Sequence, residues 1–348
     1  MEHDSPVAEL VWAVFSLLLV ALLILIFSKR IKLPYTVLLV IVGISLSGLS
    51  SIYPDELVIL KALEISPDLI LYIFLPTLIF DSCYNIDVRS LRHNLVPILT
   101  LAIPGLLIST MLIGLIVWLA TSIALPTALL LGAILSATDP VSVIALFRQI
   151  GAPERLTTLV EGESLFNDAT SIVLAKILTG IVLAGFLSGE TLNTAVIDFM
   201  VLFIGGLLLG FFLGYITSVL IGWVESEPFV EIGVTTALAY LSFLLAEQVF
   251  HVSGIMATAG AGLVVGSWGR IRVSVSVRIY LENFWKLFAF IANSMLFLLV
   301  GMKVDLIALW SSIDQLVWIV MAMLVARAVI IFGLLPFVGR LPGSSKIG

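Results

Sequence analysis

The chain has 348 residues, of which 61% are hydrophobic and 11% charged, with a formal net charge of −6. Soluble domains carry about 25% charged residues, so this composition excludes a water-soluble fold and fits the bilayer as its solvent. A single cysteine, Cys83, and three scattered histidines exclude an internal disulfide and a cysteine or histidine metal cluster, and no basic patch is dense enough for nucleic acid.

Taken in chain order, eleven apolar segments are predicted, at 8–28, 33–51, 66–84, 95–120, 124–149, 156–185, 195–223, 228–249, 253–269, 278–302 and 312–339. Each is long enough for a spanning helix of about 20 residues, and the connections leave no room for a soluble domain. The first segment does not read as a cleaved leader, because MEHDSP before it lacks Lys and Arg while Lys29, Arg30 and Lys32 follow it. Loops after odd-numbered segments, with the C-terminal tail, hold twelve basic residues: Lys29, Arg30, Lys32, Arg89, Arg92, Arg148, Arg155, Arg270, Arg272, Arg278, Arg340 and Lys346. Loops after even-numbered segments hold Lys61 and Lys303. Lys and Arg mark the cytoplasmic side, so the N-terminus is expected outside and the C-terminus inside. The loop after segment seven fits this poorly, with Glu225, Glu227 and Glu231 and no base. Lys176 and Lys286 are expected to snorkel toward an interface, whereas Arg327 sits too deep in segment eleven to do so.

Acids deep in a membrane are costly and mark function by default. The strongest are Asp81, Asp139, Glu161, Glu163 and Asp168, all in segments three, five and six. In segment five, Pro140 lacks an amide hydrogen and clashes with the carbonyl of Ser136. Asp139 before it suits a helix N-cap, with Pro140 at the first helical position. Thr138-Asp139-Pro140 is therefore predicted to end one half-helix and start another in mid-membrane. Transporters use such breaks to offer free carbonyls to a cation. In segment six, Ser164 and Asp168 are four apart on one helix face and supply hard oxygen ligands suited to an alkali cation or a proton. Asp139 is supported by helix-start amides. Asp168 lies mid-helix without that support, its charge is the less stable of the two, and it is assigned as the residue that swaps a proton for a cation. For Glu161 and Glu163 a place near the inner interface or a structural ion pair stays open. Gly206, Gly210 and Gly214 form a doubled G-x-x-x-G that serves packing within the chain or a dimer contact.

GAILSATDPVSVIALFRQIGAPERL followed by EGESLFNDATSIVL resembles the sodium/proton exchangers of the bacterial NhaP and animal exchanger type, as do FLPTLIFD, FIANSMLFLLVGM and MLVARAVIIF. The resemblance implies an all-α polytopic membrane bundle with inverted repeats, a broken midplane helix and about thirteen helices per subunit of a homodimer. It implies scaffold helices at 1–94 and 195–305 and ion-binding core helices at 95–190 and 312–339. Carried over by position, the Na+ site uses Asp168, Ser164, the backbone at Thr138, and Asp81, where many relatives have Glu. Asn167 hydrogen-bonds near Asp139, and Glu163 pairs with Arg327, since an unpaired buried charge costs far more than a paired one. The Asn167-Asp168 pair resembles the electroneutral branch. The implied function is alternating-access exchange of a monovalent cation, Na+ first, for H+, with no resident cofactor and no enzymatic chemistry, in a bacterial plasma membrane. The resemblance also implies two further helices after LPGSSKIG, so the chain is expected to be a shortened form without coupled exchange of its own. The alternatives are a non-transporting fragment and a channel or a transporter of another ion on a similar frame.

Overall fold

The computed structural model describes residues 6–28, 30, 33–52, 70–138, 140–184, 189–223, 227–269 and 274–334. Lys29, Lys32, Lys61, Arg270, Arg272, Arg340 and Lys346, used above for orientation, lie outside these, as does Asp139. The described residues form helices and no strands. In chain order these are α1 (Pro6–Ser28), α2 (Tyr35–Ile52), α3 (Ile70–Asn85), the short α4 (Val88–His93), α5 (Leu95–Ala120), α6 (Leu125–Ser136) and α7 (Val141–Ile150). There follow α8 (Glu154–Ala184), α9 (Gly189–Ile221), α10 (Pro228–Phe250), α11 (Gly254–Gly269), α12 (Val275–Met302), the short α13 (Leu306–Ser311) and α14 (Ile313–Leu334). Seven of them, α1, α5, α8, α9, α10, α12 and α14, are long and apolar enough to cross a membrane; α2, α3, α6 and α11 are shorter apolar helices.

Local chemistry sets several ends. Ser253 caps α11 by accepting the Met256 amide at 3.3 Å. α7 stops at Gly151, whose φ of 66° is the left-handed conformation that glycine adopts without a Cβ clash. α5 widens by one residue per turn at Leu101–Gly105, where Pro104 offers no amide hydrogen.

The chain divides into two compact units. The first comprises Met1–Leu78 and Tyr280–Ser312 and is built on α1, α2 and much of α12. Leu17, Ala21, Leu39, Met295 and Leu298 form its core, and Tyr35 Oη donates to the Ala21 carbonyl at 3.0 Å while lying 3.0 Å from Ser294 Oγ.

The second unit, Ile79–Ile279 and Ile313–Gly348, carries the residues singled out in segments five and six. α5, α6 and α14 close on Ile113, Val117, Ala128, Ala322 and Ala326. α5 and α6 approach so closely that a Cβ at Gly132 would lie 2.6 Å from the Thr110 carbonyl oxygen. The doubled G-x-x-x-G of α9 faces α11 within the same chain: Gly206 meets Ser253, Gly210 meets Ala257 and Gly214 meets Ala261. Of its two readings, packing within the chain is therefore realised.

Candidate cation-binding site

The predicted break is present. α6 ends at Ser136, Ala137 and Thr138 are non-helical, and α7 begins at Val141. The cap differs by one residue from expectation: Pro140 occupies the N-cap with φ −85°, and its carbonyl accepts the Ile144 amide at 2.8 Å. Proline needs no amide partner, so it tolerates the boundary itself as well as the first helical position.

The end of α6 leaves carbonyls that no residue of its own helix can satisfy. α8, lying alongside, supplies hydroxyls. Ser171 Oγ donates to the Ala133 carbonyl at 2.8 Å, and Ser164 Oγ donates to the Thr138 carbonyl at 3.2 Å. Ser136 Oγ turns back to Gly132 O at 2.6 Å, with Thr110 Oγ1 3.5 Å away. Ser164 is buried and Asp168, one turn further on the same face, is half-buried. The break, a freed carbonyl, a hydroxyl and a carboxylate thus stand within two neighbouring helices, all oxygen ligands of the kind a hard cation takes.

Glu163, 8% exposed, meets Arg327 of α14: Nη1 donates to Oε1 at 3.2 Å and Nη2 to Oε2 at 3.5 Å. The two-pronged geometry matches the planar guanidinium to the carboxylate. Asn167 Nδ2 also donates to Glu163 Oε1, at 3.0 Å, while the implied bond near Asp139 falls on a residue outside those described. Asn167 Oδ1 is buried without a hydrogen-bond partner among the described residues. Glu161 is half-buried on α8. Asp81 lies on α3, where its carboxylate accepts from Asn85 Nδ2 at 2.7 Å. The structure therefore brings Thr138 to Ser164 and joins Glu163, Arg327 and Asn167, while Asp81 has a polar neighbour on its own helix.

Two polar contacts escaped the reading of the sequence. Ser171 is seven residues beyond Ser164, so helical periodicity alone places it on the site's face. Lys176, expected to snorkel, has a half-exposed side chain and also forms an ion pair with Glu247 of α10 at 2.9 Å. A base and an acid 71 positions apart carry no local signal of pairing.

Residues 16–347 match the family model described as "Sodium/hydrogen exchanger, transmembrane". The Na(+)/H(+) antiporter ApNhaP of Aphanothece halophytica is 40% identical over 307 residues, covering 87% of this chain and 56% of that protein. The Na(+)/H(+) antiporter NhaG of Bacillus atrophaeus is 33% identical, covering 95% of this chain and 63% of its own. The chain thus spans less than two thirds of the length of these relatives. The sodium proton antiporter MjNhaP1 of Methanocaldococcus jannaschii shares the fold, with a TM-score of 0.75 and 22% identity over 94% of this chain and 79% of that one. Its helices suited to crossing a membrane and the family match over nearly its full length settle the class: the chain belongs to the sodium/hydrogen exchanger family of integral, multi-pass membrane proteins.

Proposed function

We propose that the chain exchanges a monovalent cation, Na+ first, for H+ by alternating access, in place of the expectation of a shortened form without coupled exchange, because all the proposed ligands lie within it. One observation carries this: the Ser164 hydroxyl, a turn from Asp168, bonds the Thr138 carbonyl at a helix break. Oxygen donors at such a break suit an alkali cation. Asp168 supplies the carboxylate that gives up a proton when the cation enters, and Ser164 and the Thr138 backbone supply neutral oxygens. Asp81 is a further oxygen donor toward the same ion. Asp139 and Pro140 keep the helix divided, and Asn167, Glu163 and Arg327 fix the rotation of α8. The cation and the proton are substrates, and no resident cofactor enters.

One titrating carboxylate beside Asn167 gives one cation for one proton, an electroneutral exchange. The core, 95–190 and 312–339, moves against the scaffold, 1–94 and 195–305. The bacterial plasma membrane, an outer N-terminus, an inner C-terminus and a homodimer complete the proposal, supported by the basic-residue asymmetry and by relatives named Na(+)/H(+) antiporters. The test is proton flux in proteoliposomes on addition of Na+, K+ or Li+, with the membrane potential clamped at several values. Cation-driven flux independent of potential is expected. Flux that follows potential and needs no counter-ion identifies a channel and overturns the proposal.

A further inference from the structure

Within the larger unit, two sets of helices are each internally locked. α5, α6 and α14 share an apolar core, and Ser171 fastens α8 to α6. α9 and α11 interlock through Gly206, Gly210 and Gly214, and α10 joins α11 through the Ser242–Thr258 hydrogen bond at 3.3 Å. Lys176 bridges the sets. Its Nζ donates to Glu247 Oε2 at 2.9 Å and to Oε1 at 3.2 Å, and Oε1 also accepts the Gly254 amide at 3.1 Å. One carboxylate thus holds α8, the end of α10 and the start of α11 together. Lys176 is eight residues past Asp168 on the same helix, about 12 Å along its axis.

Around this bridge α8 and α9 are not uniformly packed. Nearer the site, the Phe166 and Phe203 rings sit 6.4 Å apart. At the Lys176 end the helices flank a groove of about 440 Å3, lined by Lys176, Gly180, Thr194, Asp198 and His251 among others. His251 holds the left-handed turn between α10 and α11, with φ 51°. The pair borders open space, with side-chain exposures of 51% for Lys176 and 22% for Glu247. Ion pairs so exposed contribute little static stability, which suits a contact that breaks and reforms better than a permanent staple.

We propose that Lys176 and Glu247 form a conformational latch, fastening one end of the helix that carries Asp168 to the α10–α11 corner and opening when α8 moves against α9–α11. The inference rests on the alternating-access proposal above. Among the described residues, the charged and titratable neighbours that share this corner are Asp198 of α9 and His251.

Gly180→Cys provides the reporter, because a Cβ there meets nothing within 4 Å and the native Cys83 is buried. The measurement is the rate at which a water-soluble maleimide modifies the introduced thiol in proteoliposomes, in this background and with Lys176→Gln, Glu247→Gln or Lys176→Arg added. Glu247→Gln retains an acceptor for the Gly254 amide, so it removes the charge pair alone. Both glutamine variants are expected to raise the rate roughly two- to fivefold, while Lys176→Arg stays near the parent. Unchanged rates in the glutamine variants overturn the latch, as does a Lys176→Arg rate equal to that of Lys176→Gln. Cation-driven proton flux is recorded on the same vesicles: its absence from the parent overturns the antiport proposal, while labelling still decides whether the pair fastens α8.

Discussion

Replacing Arg327 with methionine strands the Glu163 carboxylate, which is 8% exposed, with Asn167 Nδ2 as its remaining described donor at 3.0 Å. Stranding a fully buried partner costs about 3–5 kcal/mol. Here the arginine side chain is 41% exposed, so the pair is partly screened, and Asn167 still satisfies one oxygen. The expected loss is therefore roughly 2–3 kcal/mol. The reverse substitution, Glu163→Gln, is milder. The amide oxygen keeps the Asn167 bond and the arginine retains its exposed part, for a loss of about 1 kcal/mol. The double variant buries no lone charge and should fall short of the sum by about 1–2 kcal/mol. Unfolding of the four proteins in detergent micelles, run as a double-mutant cycle, measures this. Equal single losses that add to within about 0.5 kcal/mol would show that the contact contributes nothing as a pair.

Asp168→Asn should reduce cation-driven proton flux to background while expression and monodispersity persist; retained flux removes Asp168 from the carrier role. Asp139→Asn keeps a capping side chain and should weaken transport or stability only in part, so a loss as complete as that of Asp168→Asn would reverse the two assignments. Gly210→Ala places a Cβ against the Ala257 carbonyl and should lower thermal stability by about 1–3 kcal/mol, whereas Gly180→Ala, with nothing within 4 Å, should not. Asp87 caps α4 in the connection before α5: Ser90 Oγ at 2.7 Å and the Arg89 amide at 3.0 Å hold its carboxyl below the usual 3.8. Its contribution is complete above the unfolded value near 3.8 and declines as pH falls below that, vanishing under the depressed folded value. Amide exchange at Arg89 should accelerate over that window and not in Asp87→Asn.

What the sequence made legible follows the range of each interaction. The break at Pro140 is a property of one residue's covalent structure, so it could be read without knowing the fold. The Ser164 and Asp168 face is helical periodicity, equally local. The Glu163–Arg327 contact spans 164 positions, and it came from the family resemblance and from the cost of an unpaired arginine, not from spacing. Lys176 shows the limit of that reasoning: snorkelling gives a lysine an exit, so nothing in the sequence demanded a partner, and Glu247 went unnoticed. The Asn167 bond to Glu163, four residues back on the same helix, is local as well, although the resemblance offered Asn167 a partner only near Asp139, which lies outside the described residues.

The polar residues of α8 also explain why a broken helix persists in an apolar setting. An unsatisfied carbonyl in hydrocarbon costs several kcal/mol, and the end of α6 exposes up to four of them. Ser171 satisfies the one at Ala133, and Ser164 satisfies the one released at Thr138. These hydroxyls lie seven residues apart, two helical turns, with Asn167 and Asp168 between them, so the face that stabilises the break is the face that presents the carboxylate. The two serines differ in consequence. Ser171 bonds a carbonyl inside α6 and is structural, whereas the Thr138 carbonyl bonded by Ser164 is itself a proposed cation ligand. A cation arriving at Thr138 competes for the same oxygen lone pairs that the Ser164 hydroxyl uses, and turning that hydroxyl away frees its own lone pair as a ligand. Ser164→Ala should therefore weaken cation affinity, read as a raised KM for Na+-driven proton flux, with a smaller effect on thermal stability. Ser171→Ala should do the opposite. Identical profiles for the two variants would refute this division between them.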